Sequence, residues 1–224
     1  MNIKTASLRG SPYVGLFCIA TDEFALVPAF MEAKDVKKLE DTLNVKAIAT
    51  TIADTHLLGV LGKGLGKKIA VASTVSDEEV HFLEKHGIQV HVMDEITAIG
   101  NLLCIQKNGG IISPLIPEME RKKLSTFFGV TMHAMAVAKS ELAGSCILAT
   151  EKGFLAHPRT EPEEMEALDA IFKVPGMTTT ANYGDPFPGN SVLANSYGIM
   201  VGEKTSGPEL ARIDEGLHPF NTNK

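Results

Sequence analysis

A glycine set beside an apolar residue and followed by a hydrophobic run recurs at Gly15, Gly59, Gly100, Gly144 and Gly189, at intervals of 41 to 45 residues in a 224-residue chain. Self-similarity at a period of this size marks an array of like units, none of which can bury its apolar faces alone. Whatever this chain folds into must therefore repeat one unit five times. No Pro/Ser-rich linker breaks the period, so residues 1–217 are expected to form a single five-module domain and 218–224 a polar C-terminal tail.

Superposing the five segments gives the unit. After the anchor glycine comes an apolar run, as at Leu16–Ala20, Leu102–Ile105, Cys146–Ala149 and Ser191–Ala194. A turn follows, at Lys107-Asn108-Gly109, Glu151-Lys152-Gly153 and Ser196-Tyr197-Gly198, where glycine is expected to supply a positive φ. A second apolar run then completes a β-hairpin, at Phe24–Val27, Ile69–Ala72, Ile111-Ile112, Phe154-Leu155 and Ile199–Val201.

Helical signals come next. Ser76-x-x-Glu79, Thr160-x-x-Glu163 and Ser206-x-x-Glu209 have capping-box form, and Pro162 and Pro208 sit where an early helical proline is tolerated. Apolar residues behind the caps fall at helical spacing, as in Met165, Leu168, Ile171 and Phe172, so each helix has one face to bury. A third strand is expected at Val45–Ala53, Gln89–Ile96, Val130–Ala138 and Met177–Ala181. None follows the fifth helix, whereas Ile3–Leu8 precedes the first anchor as the other third strands precede theirs. The expectation is an α/β ring of strand–hairpin–helix modules closed by the N-terminal strand, with an open solenoid as the alternative; neither end carries a polar capping repeat that a solenoid would need.

Charge and chemistry narrow the function. A net charge of −6 and the lack of a basic stripe disfavour binding to DNA or RNA by charge alone, and suit a basic protein partner instead. Cys18, Cys104 and Cys146 lie in apolar strands without metal spacing and read as core packing. His81, His86 and His91 step by five residues, which spreads rather than gathers them, and no metal or other cofactor is expected. Gly62-Lys63-Gly64-Leu65-Gly66-Lys67-Lys68 fails both the phosphate-loop and the dinucleotide spacings. It reads as a flexible or widened hairpin, with a basic RNA contact as the functional alternative. Tyr13–Ala20 is too short to span a membrane, so a cytoplasmic location is expected.

The anchors Val14-Gly15, Leu58-Gly59, Ile99-Gly100-Asn101, Ala143-Gly144-Ser145 and Pro188-Gly189, together with Leu155-Ala156-His157-Pro158 and Gly207-Pro208-Glu209-Leu210, stand in an order that resembles the archaeal translation initiation factor 6 family from the N-terminal strand through Leu217. The resemblance implies a pentein-type α/β propeller with pseudo-fivefold symmetry. It further implies a monomer that binds the large ribosomal subunit, chiefly through basic ribosomal proteins at the intersubunit face with limited ribosomal RNA contact, and that keeps the small subunit away by steric occlusion.

Asn101 matches the family's Gly-Asn turn, which resembles a ribosomal contact point, and Ser145 and Asn190 hold the equivalent places. The alternative for Asn101 is a side chain bonded to its own turn. The five anchor glycines are assigned to backbone geometry. The second-module turn and Asp185-Pro186-Phe187-Pro188 depart from the family pattern, so loops 62–68 and 182–188 are expected to be locally reshaped. A rival class is a guanidine-modifying enzyme of the same fold, which needs a nucleophilic cysteine near the chain's end; the fifth module here has none. A ring scaffold for a non-ribosomal partner is the third reading.

Overall fold

A computed structural model of the protein describes residues 2–218. After β1 (Ile3–Ala6), the first module runs α1 (Val14–Phe17), β2 (Ile19–Ala20), β3 (Ala25–Pro28), α2 (Ala33–Leu43) and β4 (Ala47–Thr50). The second contains α3 (Leu58–Leu61), β5 (Gly62–Leu65), β6 (Lys68–Val71), α4 (Asp77–Lys85) and β7 (Gln89–Val92). The third follows with α5 (Ile99–Leu102), β8 (Leu103–Gln106), β9 (Gly109–Ile112), α6 (Glu118–Phe128) and β10 (Met132–Ala134). In the fourth are α7 (Ala143–Cys146), β11 (Ile147–Ala149), β12 (Phe154–Ala156), α8 (Pro162–Phe172) and β13 (Gly176–Thr178). The fifth ends with α9 (Pro188–Ser191), β14 (Val192–Ala194), β15 (Ile199–Gly202) and α10 (Gly207–Leu217). Beyond His218, the tail lies outside the described residues.

These elements make a mixed α/β fold of five three-stranded sheets. In the first four modules the hairpin strands pair antiparallel, and the strand after the long helix returns parallel to the second of them, as the helical crossover requires. The fifth sheet takes its parallel strand from the start of the chain: Ile3 lies opposite Ile199 and Ala6 opposite Gly202.

The core is divided among the joints between neighbouring modules. Ile19, Phe24 and Leu26 of the first pack with Leu58, Ile69 and Leu83 of the second. Ala70 meets Leu103, Leu124 and Phe128 at the next joint, and Cys104 and Ile111 meet Phe154, Leu168 and Phe172. Leu148 and Leu155 join Val192, Ile199 and Ile213, while Leu193 and Met200 of the fifth module pack with Leu39 and Leu43 of the first. Each fully buried Leu, Ile or Phe stabilises the fold by roughly 1.5–3 kcal/mol.

Four local expectations are corrected. Each anchor glycine lies inside a four-residue helix, so the first hairpin strand starts later than its apolar run suggests. Gly109, Gly153 and Gly198 do not adopt positive φ. What requires glycine there is a neighbouring helix: a Cβ on Gly153 would lie 2.1 Å from the Gly216 carbonyl oxygen, and one on Gly198 would lie 2.0 Å from that of Thr42. The fourth helix is boxed by Glu161 and Glu164 rather than Thr160 and Glu163, because the Thr160 hydroxyl donates to the His157 carbonyl at 2.7 Å. Finally, residues 62–68 are not widened. Leu65 pairs directly with Lys68 across a two-residue turn in which Gly66 takes φ +56°.

Candidate functional interface

The five anchor glycines meet one another. A Cβ on Gly59 would stand 1.9 Å from the Gly15 carbonyl oxygen, on Gly100 1.9 Å from that of Gly59, on Gly144 2.0 Å from that of Gly100, and on Gly189 2.0 Å from that of Gly144. Gly15 stands in the same relation to Gly189, at 2.3 Å. None of the five has positive φ, so close backbone approach is what demands glycine here. They enclose a cavity of about 40 Å³, room for one or two waters.

Asn101 and Asn190 line this cavity together, half-buried, and their side-chain amides have no hydrogen-bond partner among the described residues. Asn101 is tied to its own turn through its backbone N–H, which donates to the Ala98 carbonyl at 3.0 Å. Ser145 departs from the expectation. It is 2% exposed inside α7, beneath the surface, and is not carried forward as a contact. Lys63 also lines the cavity, where the matching positions Ile19, Cys104, Leu148 and Leu193 are apolar and buried.

At the hairpin tips lies a second pocket of about 400 Å³, which shares Ala20, Gly64 and Ala194 with the first. Its rim is self-paired: Lys107 bonds Glu151, and Asp22 accepts from the Ser196 N–H at 2.8 Å and hydroxyl at 2.7 Å. The opposite end is built differently. There the third strands run into tight turns with consecutive left-handed residues, Ala53-Asp54, Ala138-Lys139 and Asn182-Tyr183. Such residues are costly without glycine, by about 1–2 kcal/mol each.

A glutamate at the third position of the following long helix holds each of these turns. Glu79 accepts from the Ala53 N–H (2.8 Å), the Asp54 N–H (3.1 Å) and the Thr51 hydroxyl (2.6 Å). Glu164 accepts from the Ala138 N–H at 3.0 Å. Glu209 accepts from the Tyr183 N–H (3.1 Å), the Gly184 N–H (2.8 Å) and the Thr180 hydroxyl (2.7 Å). Burial would raise both flanking carboxyls, but these bonds and those from the helix caps outweigh it, holding Glu79 below the usual carboxylate range and Glu209 at about 2. The third module differs: Glu120 turns instead to His91 at 3.3 Å and Lys123 at 3.2 Å. In loop 182–188 the turn is one residue longer, bridged between Ala181 and Asp185.

Sequence reasoning read Glu79 and Glu209 only as helix caps and named Glu163 rather than Glu164 for the fourth helix. The second role of Glu79, Glu164 and Glu209 needed the fold, since the groups each one holds lie 25 to 29 residues upstream. At the turn end Leu57, Leu115, Met119, Leu142 and Tyr183 are exposed, and the first helical turns beside them are acidic, with Asp77 and Glu78 on α4, Glu118 on α6 and Glu163 on α8. The turn end thus carries exposed apolar side chains beside acidic first helical turns.

Thiol chemistry is disfavoured. Burial pushes Cys18 up to about 12 and Cys104 to about 11, and raises Cys146, opposite to what a nucleophilic thiolate needs. His157 is lowered by burial and by Arg159, and its Nδ1 already accepts the Arg159 N–H at 3.0 Å. His86 and His91 bond apart from each other, His86 to the Phe82 carbonyl and His91 to Glu120. No helix of the described residues is long and apolar enough to cross a membrane.

Comparison with known proteins agrees with this architecture. Over 97% of its length, the chain is 33% identical to translation initiation factor 6 of Pyrococcus horikoshii, covering 99% of that protein. It is 35% identical to translation initiation factor 6 of Staphylothermus marinus, over 97% of this chain and 98% of that one. With the same factor from Methanocaldococcus jannaschii the identity is 32%, over 93% and 94%. A likeness to Campylobacter jejuni agmatine deiminase, at 11% identity and a TM-score of 0.36 over 51% of this chain and 46% of that one, is too slight to assign a fold or an activity. The eIF-6 family matches residues 3–216, and the chain belongs to that family.

Proposed function

We propose that the protein is a translation initiation factor that binds the large ribosomal subunit and sterically prevents the small subunit from joining it. The observation that carries this reading is the turn end of the modules: Leu57, Leu115, Met119, Leu142 and Tyr183 are exposed beside acidic first helical turns, and the turns at 53–54, 138–139 and 182–184 are braced by Glu79, Glu164 and Glu209. Apolar side chains interspersed with negative charge are complementary to basic ribosomal proteins, and the bracing limits the entropy lost on docking. Asn101 and Asn190, unpaired beside the glycine cluster, are the polar contacts of choice.

Occlusion needs a rigid body rather than a catalyst. A single pentein-type disc closed by β1 serves that purpose. The pairing of β1 with β15, the core shared by Leu193 and Leu39, and the approach of Gly15 to Gly189 support closure. We further propose that it acts as a monomer in the cytoplasm. The test is a density gradient: the protein is expected with isolated large subunits and absent from joined ribosomes. Equal recovery in both fractions would sink the anti-association mechanism.

A further inference from the structure

Beside the first module, a groove of about 330 Å³ runs between β1 and α2 and is lined by Lys4, Lys34, Lys37 and Lys38, with Asn2, Asp41 and Thr42. The concentration is unusual on a chain of net charge −6. Two of the lysines are spoken for: Lys34 pairs with Glu32 at 2.9 Å, and the Lys38 ammonium donates to the Thr5 carbonyl at 2.7 Å. Lys4 and Lys37 have no acidic partner among the described residues, although Asp41 also lines the groove. Local helix energetics do not favour this arrangement. The first turn of α2 carries Asp35, as the first turns of α4, α6, α8 and α10 carry acids, but Lys34, Lys37 and Lys38 also lie in its first half, against the positive end of the helix dipole.

We propose that this groove is a binding site for the phosphodiester backbone of RNA. Lys34 and Lys38 are one helical turn apart, about 6 Å along the axis, and Lys4 projects from the adjoining strand. That spacing is about twice the 3.4 Å of axis at which phosphates recur along one strand of a duplex, so the two lysines reach alternate phosphates. With no aromatic side chain lining the groove, the contact reads charge and spacing, not base identity. The choice of RNA over an acidic protein rests on the chain's place in a translation-factor family.

The test is fluorescence anisotropy of a labelled 20-nucleotide RNA hairpin with the full chain, at several salt concentrations. Lys4→Glu/Lys37→Glu is expected to weaken binding about tenfold or more and to flatten the salt dependence by about two phosphate contacts, with the melting temperature retained. Lys85→Glu/Lys152→Glu, which removes two exposed lysines elsewhere, is expected to change affinity less than about twofold. Three results overturn the proposal: no binding by the wild type at low salt, equal loss in both double variants, or displacement of the hairpin by polyglutamate as readily as by unlabelled RNA. Because the hairpin assay contains no ribosomes, its failure is distinguishable from failure of the gradient experiment.

Discussion

Glu209 and Gly184 are 25 residues apart in the chain, yet the Gly184 N–H donates to the Glu209 carboxylate at 2.8 Å. The bond joins the start of α10 to the turn that precedes α9, and Glu79 and Glu164 repeat it in two other modules. One carboxylate therefore caps its own helix and braces the previous turn. The exposed end of the protein is ordered by charge-assisted hydrogen bonds, which are stronger than neutral ones.

That bracing predicts an acid sensitivity. Glu209 sits at about 2 against an ordinary 4.5, so its contribution is fully present above the unfolded value and is lost as pH falls from about 5 towards 2. Glu209→Gln is expected to cost about 2 kcal/mol at neutral pH and to flatten this part of the stability curve. Urea unfolding of both proteins at pH 7, 4 and 3 measures it; parallel curves would rule out the carboxylate's role.

Gly100→Ala is expected to prevent stable folding, because its Cβ would stand 1.9 Å from the Gly59 carbonyl oxygen with backbone on both sides. Gly207→Ala meets nothing within 4 Å at the start of α10 and is expected to leave stability unchanged or raise it by up to about 1 kcal/mol. Circular dichroism melts of the two variants separate the cases.

Asn101→Asp is expected to weaken co-sedimentation with large subunits while the melting temperature moves by less than about 2 °C, since the side chain has no internal partner. A large fall in melting temperature would return Asn101 to a structural role. Ser145→Asn, at a buried position, is expected to do the reverse: it lowers stability before it touches binding.

Asn195 donates to the Leu43 carbonyl at 2.8 Å and to the Thr21 carbonyl at 2.9 Å, stitching the fifth hairpin to the first module. Asn195→Leu leaves two buried acceptors without donors and is expected to cost about 2–4 kcal/mol. Amide exchange at the end of α2 should then rise ahead of exchange in α6.

The period of the fold was legible because glycine at each anchor is enforced by a backbone carbonyl of the preceding module, a demand no other residue meets. Ser76 and Ser206 advertised their helices through local chemistry. Illegible were features set by contact between modules. Gly153 and Gly198 look like turn glycines until the helices that press on them are in place, and Ser145 looks like Asn101 until its neighbours cover it. The lysines at 4 and 34–38 lie far apart in sequence and become one groove only when β1 settles beside β15.

That pairing also imposes an order of events during synthesis. Ile3–Ala6 leaves the ribosome long before its partner Ile199–Gly202 is made. At 5–20 residues per second the wait is on the order of 10–40 s, during which β1 has no strand to pair with and the first module lacks Leu193 and Met200 against Leu39. The last pairing of the architecture thus joins an early-made segment to a late-made one, and a nascent chain stalled before residue 199 is left with an unpaired, aggregation-prone β1.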